Sequence, residues 1–188
     1  MKVTLALLLM LSTLSAAPGE LMQGNPRSAL KVIIYDDLQC GDCAKFQTVL
    51  DEKLLPKYGA RVAFIHRDFP LPRHEWARPA AVAVRWVNER NIGLGFAMRR
   101  ELLAEQNTLT AQSLKPWLGE FARRNKLDPK GIIDALSDPR LITLVEQDLQ
   151  SGKGRGVTHT PTVFIGGQSF IETILYDDLA RTLDEALK

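Results

Sequence analysis

Residues 31–43 read Lys-Val-Ile-Ile-Tyr-Asp-Asp-Leu-Gln-Cys-Gly-Asp-Cys, a β-branched run that leads into the only two cysteines of a 188-residue chain. Lys31 to Tyr35 has the composition of a buried strand. Only Gly41 and Asp42 stand between Cys40 and Cys43. A disulfide across so short a loop constrains an unfolded chain little, because loop-closure stabilisation grows with loop length. A pair that staples weakly but exchanges readily points to redox chemistry.

Outward from the pair, Phe46, Val49, Leu50 and Leu54 recur at helical spacing until Pro56, which is expected to end the helix. Arg61 to Phe69 returns to strand composition, giving a βαβ unit. From about His74 to Gln150 every periodic segment is helical: Ala80 to Val87, Leu94 to Leu103, and the stripe Leu114, Trp117, Leu118, Phe121. Asp128-Pro129 and Asp138-Pro139 each read as an N-cap followed by proline at the first helical position. Gly152 to Gly156 reads as a flexible break. Thr162 to Ile165 and Gln168 to Ile171 then form a hairpin over Gly166-Gly167. An amphipathic helix through Tyr176, Leu179, Ala180, Leu183 and Leu187 closes the chain. His66 is expected to end a strand and His74 to begin the helical block, and the three tryptophans (Trp76, Trp86, Trp117) to pack in the core.

At 45% hydrophobic and 24% charged residues the chain is ordinary globular material with room for one real core. A net charge of +2, evenly mixed, gives no reason to expect a nucleic-acid partner. The N-terminus reads as an export signal: Lys2, an apolar run from Val3 to Leu14, then small residues at Ser15, Ala16 and Ala17. Cleavage is expected after Ala17, with Gly19 as the alternative boundary; a retained anchor helix competes, but the apolar run is short for a bilayer. No later apolar run is long enough for a span. Export matters chemically, since disulfides form and persist outside the cytoplasm.

Thiol–disulfide exchange needs a thiolate to attack and a second thiol to resolve the mixed disulfide. Cys40 at a helix start meets unpaired backbone N–H groups and the positive dipole end, which lower its pKa. Cys40 is therefore read as the nucleophile and Cys43 as the resolving thiol. The alternatives are a zinc half-site completed by His66, His74 or His159, whose spacing resembles no paired ligand motif, and an inert structural disulfide.

The segments Asp37-Leu38-Gln39-Cys40-Gly41-Asp42-Cys43, Asp68-Phe69-Pro70-Leu71, Ala80-Ala81-Val82-Ala83 and Gly156-Val157-Thr158-His159-Thr160-Pro161-Thr162-Val163-Phe164-Ile165-Gly166-Gly167 resemble those of DsbA-like thiol–disulfide oxidoreductases. The resemblance spans about residues 30–187. It implies an α/β, thioredoxin-like fold with a helical insertion between the βαβ and ββα halves. The domain organisation expected is a signal peptide over 1–17, a leader over 18–29, and one domain over 30–188 with the insertion at about 74–152. It further implies that Pro161 is cis and lies against the cysteines, with Thr160 offering backbone groups to an extended substrate peptide.

Three positions depart from that family. Gly41-Asp42 lacks the histidine that stabilises the thiolate in strongly oxidising relatives, and Asp42 adds negative charge beside it. The expectation is an oxidant weaker than DsbA (roughly −120 mV) and nearer thioredoxin (roughly −270 mV). Six residues before Cys40, where many relatives place a buried acid for proton transfer, this chain has Ile34; water or Asp42 is left to serve. His159 stands where glycine is common, either facing the redox pair as a compensating cation or sitting exposed in the loop.

The function expected is an exported, periplasmic or extracytoplasmic oxidoreductase that exchanges disulfides with protein substrates through Cys40 and Cys43, in the oxidising direction. Gly41, Asp42, His159, Thr160 and Pro161 support the site. No cofactor and no metal is expected, the protein is expected to be a monomer, and a membrane redox partner is expected to recycle it. A reductase or isomerase role, and a metal-binding or chaperone-like thiol module, are the alternatives.

Overall fold

A computed structural model describes residues 20–188; the expected export signal lies outside them. The chain begins with strand β1 (Leu21–Gly24) and strand β2 (Lys31–Asp36). Helix α1 (Gly41–Val49) runs through a π turn (Leu50–Leu54) into α2 (Leu55–Tyr58), and strand β3 (Ala63–Asp68) follows. Five helices come next: α3 (Ala77–Arg90), α4 (Ile92–Glu105), α5 (Ala111–Arg124), α6 (Pro129–Asp134) and α7 (Pro139–Gly154). Strands β4 (Thr162–Ile165) and β5 (Gln168–Ile171) and helix α8 (Tyr176–Ala186) complete it.

The sheet order is β1-β3-β2-β4-β5. β2 lies parallel to β3 and antiparallel to β4, while β1 and β5 are antiparallel edge strands. Residues 21–24, read from the sequence as leader, are thus part of the sheet, pairing Leu21 to Gly24 with His66 to Ala63. Four residues with little alternation carry too weak a periodic signal to announce a strand.

Each sheet face is buried by its own helices. Val32, Ile34, Phe64, Val163 and Ile165 pack with Phe46, Leu50 and Leu54 of the α1–α2 helix and with Leu179 and Leu183 of α8. On the other face Tyr35, Phe69, Leu149 and Val157 form a smaller cluster under α7. The inserted helices build a core of their own through Val84, Val87, Met98, Leu102, Leu118 and Phe121, and that core takes in both cysteines. The redox pair therefore sits where the insertion meets the sheet.

Two local readings change with packing. Pro56 does not end the helix: it lies in the first turn of α2, directly after the π turn, and the chain stays helical to Tyr58. The wider π turn ahead of it admits the ring. Nor does Gly152 open a break. It is a buried residue of α7, and a Cβ there would stand 2.6 Å from the Phe69 ring and 2.9 Å from Tyr35. Glycine lets the helix close onto the sheet. The two proline caps form as read, with Asp128 accepting from Lys130 N–H and Asp138 from Arg140 N–H. Gly166 and Gly167 take φ of 54° and 95° in the β4–β5 hairpin, the conformation a two-residue primed turn needs.

Candidate active site

Cys40 is the N-cap of α1, in extended conformation, with its carbonyl accepting from Ala44 N–H at 3.2 Å. The residue is only 7% exposed, and its thiol donates to the Thr160 carbonyl at 3.2 Å. The Thr160–Pro161 peptide is cis. The β2–α1 loop and the entry to β4, 120 residues apart in the chain, are thus held together at the sulfur.

Both cysteines are free thiols, and their acidities separate. Cys40 falls from 9.0 to about 6, chiefly because the Cys43 thiol can donate to its thiolate. Burial opposes this, while Thr160 and the backbone N–H groups of Cys43 and Asp42 add to it. The Thr160 hydroxyl is buried without a partner of its own, so it is available to an ionised sulfur. Cys43 goes the other way. Burial, the need to keep donating to Cys40, and the negative charge of Asp36 push its thiol well above 9.0. The Asp37 N–H donates to Cys43 Sγ at 3.3 Å.

The remaining expected residues divide. A Cβ on Gly41 would meet nothing within 4 Å, so the surface above Cys40 is open. Asp42 does not stand as a bare charge beside the thiolate, because Lys45 one turn on pairs with it at 2.8 Å. His159 is exposed, and its Nδ1 bonds the Thr158 hydroxyl at 2.9 Å rather than either cysteine. No cluster of His, Cys, Asp or Glu among the described residues is arranged to hold a metal.

Below the cysteines lies a buried charge network that the sequence reading did not anticipate. The β2–β3 register aligns Ile34 with His66 and Asp36 with Asp68, so the acid missing at Ile34 reappears one pleat further on as Asp36. Asp36 bonds His66 Nδ1 at 2.7 Å and Arg99 of α4 at 2.6 Å. Asp68 receives Arg85 of α3 at 2.6 Å and Arg99 at 3.4 Å, and Arg85 also reaches Asp148 of α7. Burial alone would raise the Asp36 carboxyl, but the charge of Arg99 and the hydrogen bonds from Arg99 and His66 outweigh it and hold the group at about 2. Asp37, beside it, accepts from the N–H groups of Gln39 and Leu71, both at 2.7 Å, and from His74 Nδ1 at 2.8 Å. The period-2 alternation of β2 and β3 was the signal available, since it puts Asp36, His66 and Asp68 on the same face as Ile34 and Phe64.

A thioredoxin family model matches residues 16–185. The chain belongs to the thioredoxin family. Its fold, with the inserted helices, is that of the DsbA-like members. It is similar to oxidised BdbD from Bacillus subtilis, at 20% identity and a TM-score of 0.75 over 90% of this chain and 93% of that one. It is similar to alpha-DsbA1 from Wolbachia pipientis, at 19% identity and a TM-score of 0.75 over 90% and 92%. The catalytic domain of Proteus mirabilis ScsC aligns at 21% identity and a TM-score of 0.75 over 93% and 92%. A stretch of 145 residues is also 30% identical to part of the Na(+)/H(+) antiporter NhaA 3 of Salinispora tropica, covering 76% of this chain and 21% of the antiporter. The chain thus spans about a fifth of the length of that relative. Among the described residues no helix is long and apolar enough to cross a membrane.

Proposed function

We propose that the chain is an exported thiol–disulfide oxidoreductase that oxidises protein thiols through the Cys40–Cys43 pair. The observation that carries this is a pair of free thiols in one helical turn, Cys40 at the N-cap of α1 with its sulfur 3.2 Å from the Thr160 carbonyl and Cys43 buried, an arrangement that lowers the pKa of the first thiol and raises that of the second. A substrate thiolate attacks Cys40 Sγ of the disulfide, the S–S bond breaks, and Cys43 leaves as a thiolate that takes up a proton. A second substrate thiolate then attacks the substrate sulfur of the mixed disulfide and expels Cys40. Two electrons pass to the protein, and the reduced pair remains. The low pKa makes Cys40 the better leaving group in that second step. Thr160, beside the sulfur, offers its backbone to the substrate as an added strand would, and Pro161 holds that loop against the pair.

No cationic histidine stands between Cys40 and Cys43 to stabilise the thiolate further. The potential is accordingly expected on the thioredoxin side of the interval between roughly −120 and −270 mV. Equilibration with glutathione buffers measures it, and a DsbA-like value would refute the moderated site. The exchange reaction is tested by a Cys43→Ser variant expressed in the native host. It accumulates substrates as mixed disulfides on Cys40, visible by mass under non-reducing conditions. Absence of any adduct would count against substrate exchange.

A further inference from the structure

The surface beside the Thr160–Pro161 loop opens into a cavity of about 340 Å³, to which α1 contributes no residue. Its wall is apolar. Phe69 and Leu71 follow β3, Leu149 belongs to α7, and Val157 leads into the Thr160 loop. The wall is held by its own backbone. Leu71 N–H donates to the Asp37 carboxylate at 2.7 Å, Phe69 N–H to the Asp36 carbonyl at 2.8 Å, and Val157 N–H to the Gly152 carbonyl at 3.0 Å. Pro70 and Pro72 stiffen the segment between β3 and α3. The cavity is therefore preformed, and its size and lining suit an apolar group. Arg78 and Lys153 also line it and are exposed, so they stand at its mouth. Arg78 pairs with Glu146, whereas no carboxylate pairs with Lys153 among the described residues. Residues 151–156 carry Lys153 and Arg155 and no acid, so this end of the cavity is positively charged.

We propose that this cavity selects among protein substrates by taking an apolar side chain two positions from the reactive cysteine, with an acidic residue just beyond it facing Lys153. The proposal rests on the exchange reaction above and names the substrate sequence that reaction prefers. Cys40 Sγ lies 3.2 Å from the Thr160 carbonyl, so a substrate cysteine that reaches this sulfur stands beside Thr160. Thr158 lines the cavity two residues back, no more than about 7 Å away. Two residues of an extended peptide cover that span. A substrate laid along the loop as an added strand thus brings its second residue from the cysteine to the cavity. Side chains two apart on a strand share a face, so this one points toward the protein as the cysteine does.

Two other depressions border the motif, and neither offers the same combination. The one between α1 and α4 is lined by polar groups already bonded to each other, Asp51 to Arg100 and to Gln47. The one between α1 and residues 172–174 holds only about 90 Å³. The cavity beside Thr158 is larger, apolar within and cationic at its mouth, and it continues the edge on which the substrate backbone lies.

The test mixes the oxidised protein with single-cysteine peptides and follows loss of its disulfide by mass after acid quenching. Each peptide has a Gly-Ser background, with Leu or Ala two positions before or after the cysteine and Glu or Lys in the next position outward. Scrambled peptides of the same composition control for the acidity of the peptide thiol. On one side of the cysteine, Leu is expected to react about tenfold faster than Ala. Glu is expected to react about threefold faster than Lys at low salt. Val157→Phe narrows the cavity and is expected to lose the preference for Leu. Lys153→Glu is expected to lose the preference for Glu; its position is exposed, so it decides the matter if Val157→Phe does not fold. Equal rates for Leu and Ala peptides, or a preference that survives in the variant meant to remove it, overturn the proposal. If instead the oxidised wild type reacts with none of the peptides, the exchange reading itself fails, and this proposal falls with it.

Discussion

The acidity of Cys40 is set by groups that stand within one helical turn and one loop of it. Asp42 is the only adverse charge in the motif, and Lys45 neutralises it across 2.8 Å. Lys45 also stands near enough to Cys40 for the two charges to interact. Lys45→Ala is therefore expected to raise the Cys40 pKa, read from thiolate absorbance during a pH titration. The effect should shrink in high salt, since both partners are exposed. An unchanged value would remove Lys45 from the account. His159→Gly is expected to leave the Cys40 pKa where it is, because the ring engages Thr158 and not the sulfur. A shift of the Cys40 titration in that variant would restore the histidine to the site. At this scale the sequence was informative about the cysteines, about the Thr160-Pro161 entry and about the aspartate caps, whose partners lie within a few residues. It was silent on the network that joins Asp36, His66 and Arg99. Arg99 and Asp36 are 63 positions apart, and nothing local marks two charges as partners.

Elements were legible where a single periodicity ran unbroken, as in α3, α4 and α5, and in the β4–β5 hairpin. They were misread where packing overrides composition. Gly152 to Gly156 has the composition of a linker, yet α7 runs on to Gly154 because Gly152 is pressed against Phe69 and Tyr35. The Tyr35 hydroxyl meets Ser151 at 2.9 Å beside it. Gly152→Ala improves local helix propensity but forces a methyl into that contact, and overpacking outweighs the propensity gain. The variant is expected to lose about 1–3 kcal/mol of stability in urea titration. A neutral or stabilising result would mean that α7 can move off the sheet at no cost.

Over the whole molecule, the inserted helices are joined to the sheet by charge as well as by apolar packing. Arg85 and Arg99 come from α3 and α4, Asp148 from α7, and Asp36, His66 and Asp68 from the sheet. Such a network is costly to break from one side, because the remaining buried charges lose their partner. Arg99→Met is expected to cost about 3–5 kcal/mol by denaturant titration, while a loss under about 1 kcal/mol would show the carboxylates to be hydrated or protonated instead. The sign with pH follows from Asp36. Its folded value of about 2 lies below 3.8 in the unfolded chain, so its contribution is complete above about pH 4 and is lost as pH falls through 2. That contribution is on the order of 2 kcal/mol. In Asp36→Asn the fall of stability between pH 4 and pH 2 should accordingly be shallower by about one proton.

The claim on which all of this depends is the unequal pair of thiols. It is tested most directly by alkylating the reduced protein with iodoacetamide over a range of pH and assigning the modified residue by mass spectrometry. The result expected is modification of Cys40 alone at early times, with a rate that titrates near 6, while Cys43 stays unmodified until well above pH 9. Equal labelling of both cysteines, or a Cys40 profile with its midpoint near 9, would contradict it.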